Sequence, residues 1–443
     1  MYRQIAITLG AIFLFFIDIN TINIPFVVLV FGFMIYMISK QQYNEIALAI
    51  PLFGYSFGLL LNKITGVPNL FYILLLIALL LGYRLFFFFN GRTKINVNQN
   101  VLIVFYAAFL LSILFSLFQF YQESYPILKL QLFGMWLLIY LLSFNTFDKQ
   151  TADFNYENFL ILIFLFFVSH FSNATDDDDV TLSPFRVWTT YSVMDDGIRG
   201  HNFDIISATR IAGAGILAFF IYIYDLQKKK LFLFVLLTFF VLMLIICQTR
   251  QSVAAIAFPI GIFGLYVLIK AKTSFFKIML TIVVFLFGFI SYTNYLSKNE
   301  VNSRIIKSAG GTAAEGTGRE GIWATAISFI NSDKSSVGFG NYQRFTGSAT
   351  YPHNIFLEVY VEMGLISFII LCLIVIYILF ETNKIFFAKN ELSNLELFLI
   401  LGTIYYLGLA QFSADLPRNM MFMLTFALYI VVKHQNKKST TEN

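Results

Sequence analysis

Apolar residues fill block after block of this chain, each close to the ~20 residues that a helix needs to cross a bilayer. The blocks fall at about 4–18, 23–39, 45–61, 69–89, 101–120, 126–144, 157–172, 204–224, 231–247, 252–269, 275–294, 355–380, 394–412 and 417–433. Read by hydropathy, they predict about fourteen spans. The apolar–polar alternation of a membrane β-barrel is absent. The expected fold is all-α, a polytopic integral membrane protein. Two of the breaks are long, at about 173–203 and 295–353. Long loops on a helical scaffold are where binding and chemistry concentrate. No internal repeat, Gly/Ser linker or separate soluble domain is visible. The chain is therefore divided into N-terminal spans with the first long loop, 1–203, and a second set of spans with the larger loop, 204–443.

Composition agrees with that pattern. Of the 443 residues, 58% are hydrophobic and only 12% are charged, about half the charged share of a soluble domain. Cys247 and Cys372 both lie in apolar runs and form neither a disulfide framework nor a metal-ligand spacing. The N-terminal "MYRQIAITLGAIFLFF" lacks a small-residue cleavage site and reads as a retained first span.

Charge adds orientation. With the N-terminus inside, the inner connections collect most lysines, among them Lys40, Lys94, Lys149, Lys228, Lys270, Lys384 and Lys433. That is the positive-inside bias, and it puts both termini in the cytoplasm. Arginine goes the other way. Arg186, Arg199, Arg210, Arg250, Arg304, Arg319, Arg344 and Arg418 fall on or near the outer face. A guanidinium grips phosphate or carboxylate with a planar fork, whereas lysine acts as a point charge. An arginine-rich outer face points to an anionic ligand.

Four local patterns carry chemistry. In "EGTGREGIWATAISFINS", 315–332, Thr317 and Glu320 have capping-box spacing, and Ile322, Trp323, Ala326, Ile327 and Ile330 share one helical face. A short amphipathic helix is expected, with Arg319 in its first turn, where backbone amides and a guanidinium converge on one anion. A capped helix with a solvated arginine is the other reading. Arg250, in "CQTRQS", sits in a very short outer connection. An ionisable group so near hydrocarbon is a functional candidate, and snorkelling to headgroups is its alternative. Arg210 lies inside a span, followed by the small residues Ala212, Gly213, Ala214 and Gly215, which admit a close neighbouring helix. It needs a carboxylate or a bound phosphate as partner.

The fourth pattern is "TYPHNIFLEVYVEMG", 350–364. Pro352 suits the first turn of a helix, which would put His353 in that turn at the outer interface. A helix N-terminus disfavours the imidazolium and leaves a neutral ring able to accept a proton. Hydrogen bonding to interfacial water is the alternative role. Gly364, eleven residues on, is expected on the same face as His353, leaving room for a ligand tail or a close helix. Glu358 and Glu362, one turn apart, are too deep to stay unpaired, and an arginine is the expected partner. The run Asp176 to Asp179 reads as a solvated acidic loop, and His201 is a weaker candidate than His353.

In order along the chain, "QTRQS", then Gly318, Arg319 and Trp323, then "VGFGNY", then "PHN" opening a span with "EMGLISF" behind it, resemble the O-antigen ligase and O-antigen polymerase superfamily. The resemblance covers roughly 245–380. It implies a GT-C-like fold with a periplasmic capping loop, in the bacterial inner membrane. It implies transfer of a glycan from undecaprenyl pyrophosphate to an acceptor sugar hydroxyl, with inversion and with neither metal nor cofactor. Arg250 and Arg319 would bind the donor pyrophosphate, with Arg210 carried over less securely. His353 would activate the acceptor hydroxyl, and Asn354, Glu358 and Gly364 would support it. The implied partners are the lipid-linked oligosaccharide, an acceptor glycan (a lipid-linked repeat unit or lipid A core), membrane lipids and a candidate chain-length regulator, with no nucleic acid. About fourteen spans and two sizeable loops favour a polymerase of O-antigen or another surface polysaccharide. A ligase to lipid A core is the alternative. A flippase or transporter of the same lipid-linked sugars is the alternative from another class, although the internal repeats common in transporters are not seen.

Overall fold

The structure is a computed structural model and describes residues 23–89, 124–146, 154–171, 205–224, 236–238, 240–241, 250–270, 319–331, 336–342, 352–387, 392–411 and 416–441. Every regular element among them is helical. The helices are α1 (Asn23–Ser39), α2 (Tyr43–Thr65), α3 (Asn69–Phe89), α4 (Ser124–Thr146), α5 (Tyr156–Phe171), α6 (Ile205–Tyr224), α7 (Arg250–Lys270), α8 (Arg319–Ile330), α9 (Ile355–Phe387), α10 (Asn394–Leu409), α11 (Leu416–Asn419) and α12 (Met421–Thr441). Ten of the expected spans coincide with a helix, usually within a few residues. Spans 4–18, 101–120 and 275–294 lie outside the described residues, as does most of 231–247. Among the described residues, Tyr43–Asn62, Asn69–Phe86 and Ile355–Phe387 are long and apolar enough to cross a membrane.

The chain divides into two compact units, and the division cuts through α4 and α7. The first unit holds residues 1–96, 142–256 and 271–310. In it α2 packs on α3 and α5, α5 packs on α6, and α1 lies against α2 and α5. The run Phe159–Val168 in α5 is buried on every side, so this helix is surrounded by protein rather than lipid. Two glycines set the approach of neighbours. A Cβ on Gly58 would stand 2.7 Å from the Asn69 carbonyl oxygen, and one on Gly215 would stand 2.7 Å from the Phe240 ring. The second is the close packing expected after Arg210.

The second unit holds 97–141, 257–270 and 311–443. Here α10 pairs with α12, α8 packs on α9, and α9 touches α10 and α11. A capping box of Ser393 and Glu396 opens α10. Thr403 in α10 donates to Thr425 in α12 across 3.0 Å of buried interface. Near the far end of α9, Glu381 pairs with Lys384 at 2.7 Å and with Lys433 of α12.

Helix α9 is two helices joined at a break. Gly364 has φ 82° and ψ −179°, a conformation essentially reserved for glycine. The short arm, 355–363, is largely buried, including Glu358, Val359, Val361 and Glu362. At 1.5 Å per residue it reaches about 13 Å, less than half of a hydrocarbon core. The long arm, 365–387, reaches about 35 Å and leaves Ile366, Leu373, Ile376 and Phe380 exposed, as a lipid-facing span would. The expectation that Gly364 shares a face with His353 along one straight helix is therefore corrected: the helical path ends at Gly364. Gly364→Ala should lower stability by about 1–3 kcal/mol, because a Cβ is strained there whatever space surrounds it. A drop in the thermal unfolding midpoint in detergent would register this, and an unchanged midpoint would contradict the observed backbone.

Candidate active site

The chemistry-bearing part of the second unit is built around the turn Pro352–His353–Asn354, which precedes α9. Asn354 caps the helix. Its Oδ1 accepts from Phe356 N at 3.0 Å and Leu357 N at 3.2 Å, and its carbonyl accepts from Glu358 N at 2.9 Å. The remaining first-turn amide, Ile355 N, donates to the Ala410 carbonyl at the end of α10, at 3.0 Å. The amides of residues 355 to 357, which have no partner within the helix, are thus satisfied by protein and are not free to hold a ligand. His353 therefore lies one residue before the cap, not in the first turn as Pro352 suggested. It takes φ 54°, the left-handed region, and is half-buried. Asparagine competes better than proline for the boundary because its side chain replaces two lost hydrogen bonds.

A second strut holds the same turn. The Trp323 indole N–H donates to the Pro352 carbonyl at 2.8 Å. Trp323 is one turn beyond Arg319, the first residue of α8, so the N-terminal end of α8 lies about 6 Å along the helix from that anchor. Helix α8 forms over 319–330 as expected, but its buried face differs. Ile322, Ala326, Phe329 and Ile330 pack with Val337, Tyr342, Leu357 and Val361, whereas Ile327 is exposed. The Tyr342 hydroxyl fixes the helix further by donating to the Ile322 carbonyl at 3.1 Å. Thr317, the other half of the expected capping box, lies outside the described residues.

The "VGFGNY" turn becomes a structural joint. Gly338 and Gly340 have φ 89° and 80°. That backbone lets Val337 N donate to the Val361 carbonyl at 2.8 Å and Gly340 N donate to Glu362 Oε2 at 2.9 Å. The carboxylates of the short arm then meet a lysine, not the arginine that was expected. Lys129 Nζ, from α4, stands 2.6 Å from Glu358 Oε1 and 2.7 Å from Glu362 Oε2, with all three side chains at most 3% exposed. Leu416 N of α11 donates to Glu358 Oε1 at 3.0 Å. The ammonium also sits 4.9 Å from the centre of the Phe339 ring, which Phe133 of α4 meets edge-on. Removing one member of such a buried group strands charge in low dielectric, at roughly 3–5 kcal/mol.

Residues 233–372 match the family model described as O-antigen ligase. Over that stretch, about a third of its length, the chain is similar to the O-antigen ligase family. No curated protein and no solved structure matches the chain. The matched segment contains Arg250, Arg319, Trp323, His353, Asn354, Glu358, Glu362 and Gly364. Lys129 and Arg210 lie outside it. Arg250 is the first residue of α7 and belongs to the first unit. Arg210, the sixth residue of α6, is buried in that same unit. Among the described residues, no group of three His, Cys, Asp or Glu side chains could hold a metal ion. The buried charge missed in the sequence is Lys129. Its signal was present as a lysine inside an apolar block, a placement that marks a paired or functional group.

Proposed function

We propose that the protein is a membrane glycosyltransferase that moves a glycan from undecaprenyl pyrophosphate to an acceptor sugar hydroxyl, as a polymerase of O-antigen or a related surface polysaccharide. The observation that carries this is the indole strut from Trp323 to Pro352. It ties the start of α8, where Arg319 stands, to the His353 turn, within the stretch that matches the O-antigen ligase family.

In this reading His353 takes the proton of the acceptor hydroxyl as the new glycosidic bond forms. The acceptor oxygen attacks the anomeric carbon from the face opposite the lipid pyrophosphate. The carbon–oxygen bond to the pyrophosphate breaks, its electron pair leaves with undecaprenyl pyrophosphate, and the configuration inverts. Charge grows on the departing phosphates, so preorganised donors matter most there. Arg319 at an α-helical N-terminus suits that role. Arg250, also first in its helix, and Arg210 are the further phosphate-binding candidates. The site is assigned to the outer face of the inner membrane, with both termini cytoplasmic, from the lysine and arginine distribution. Ligation to lipid A core is the second reading, favoured by the description of the matching family.

Deleting the gene and separating surface glycans on a gel tests both. Loss of the long ladder with a single repeat retained is the polymerase result. Unmodified core with accumulating lipid-linked polymer is the ligase result. An unchanged glycan profile would reject both.

A further inference from the structure

The short arm of α9 is secured along its length by groups from five other segments. Ala410 and Trp323 hold its start. Lys129 and Leu416 hold Glu358, and Lys129 and Gly340 hold Glu362. Lys129 reaches both carboxylates. It comes from α4, 229 residues before Glu358 in the sequence and well outside the matched family segment. A buried cation grasped at 2.6 and 2.7 Å on two successive turns fixes both the depth and the rotation of the arm about its axis. The arm's N-terminal end carries His353, so the same contacts fix where the imidazole stands. A general base displaced by 1 Å loses much of its effect.

We propose that Lys129 is a positioning residue for His353, clamping Glu358 and Glu362 so that the short arm of α9 presents the base in a single register. This role rests on the glycosyl-transfer reading above, and it assigns part of the catalytic apparatus to the N-terminal half of the chain. Lys129 touches no substrate in this scheme. It acts through the backbone of residues 353–362.

The test uses the full-length protein in detergent or nanodiscs, with a lipid-linked oligosaccharide as donor. The variants are Lys129→Arg and the triple Lys129→Met, Glu358→Gln, Glu362→Gln, in which no buried charge is left stranded. Wild type and His353→Gly are run alongside. The expected result for the folded triple variant is a kcat lowered roughly 10- to 100-fold with KM for the donor within about threefold. Lys129→Arg, which bridges two carboxylates with a wider, planar head, should lower kcat measurably, by up to about tenfold, at unchanged KM. A folded triple variant with wild-type kcat would show that the clamp only stabilises the fold, and would overturn the proposal. A donor KM rising in step with the fall in kcat would overturn it too, because the ammonium would then be binding substrate. Should the triple variant fail to fold, Lys129→Arg decides by the same two numbers. If the wild type transfers nothing, or His353→Gly is fully active, the reaction itself is misassigned and this role falls with it. A failure confined to Lys129 leaves both of those controls as expected.

Discussion

His353→Gly should give a protein that inserts and folds as the wild type does, with glycan transfer reduced at least ~100-fold, the lower end of what a positioned general base contributes. Glycine is the informative replacement. His353 holds φ 54°, where a Cβ is disfavoured by roughly 1–2 kcal/mol. Glycine relieves that cost and removes the imidazole, so it separates chemistry from stability. Alanine removes the ring but keeps the strain, and an inactive alanine variant could simply be less well folded. The Asn354 cap and the Trp323 strut both survive the change, since neither uses the histidine side chain. Transfer from a lipid-linked donor, normalised to monodisperse protein, is the measurement. Near wild-type turnover in the glycine variant would remove His353 from the reaction.

Arg319→Lys is expected to lower kcat/KM by about 10²-fold or more, as losing one preorganised donor to a developing anion does, while leaving the unfolding midpoint unchanged. Arg319 is the first residue of α8, and the N-terminal end of a helix dipole favours an anion. Lysine keeps the charge and loses the planar fork. If charge alone mattered, the lysine variant would work nearly as well as the wild type. Steady-state kinetics against donor concentration decide this, and equal kcat/KM would exclude a two-pronged phosphate grip by this residue.

Helix positions were legible because lipid imposes a simple rule on sequence. Blocks such as 23–39 and 69–89 became helices with the same limits. The break at Gly364 was not legible, because "EVYVEMGLISFII" is apolar on both sides of the glycine and hydropathy registers only one long run. The His353 turn, the helix beginning at Arg319 and the glycine turn were each visible as local motifs. How they join was not. The Trp323–Pro352 strut and the Lys129 clamp connect residues far apart in the chain, and a single sequence carries no trace of such pairing. Lysine was read as a marker of orientation, and that reading passed over Lys129, buried among carboxylates. Likewise Pro352 and Asn354 both signal a helix start, and only the hydrogen bonds show that asparagine wins.

The break at Gly364 divides α9 into two arms that need not tilt as one rod. A helix exposed to lipid tilts as the surrounding bilayer thickens or thins, and a continuous rod would carry that tilt to whatever rides on its tip. Here the intrahelical ladder is interrupted between the span that floats in lipid and the stub that bears the imidazole. If His353 is the base proposed above, a bend at that one residue would spare the imidazole the tilt of the lipid-facing arm.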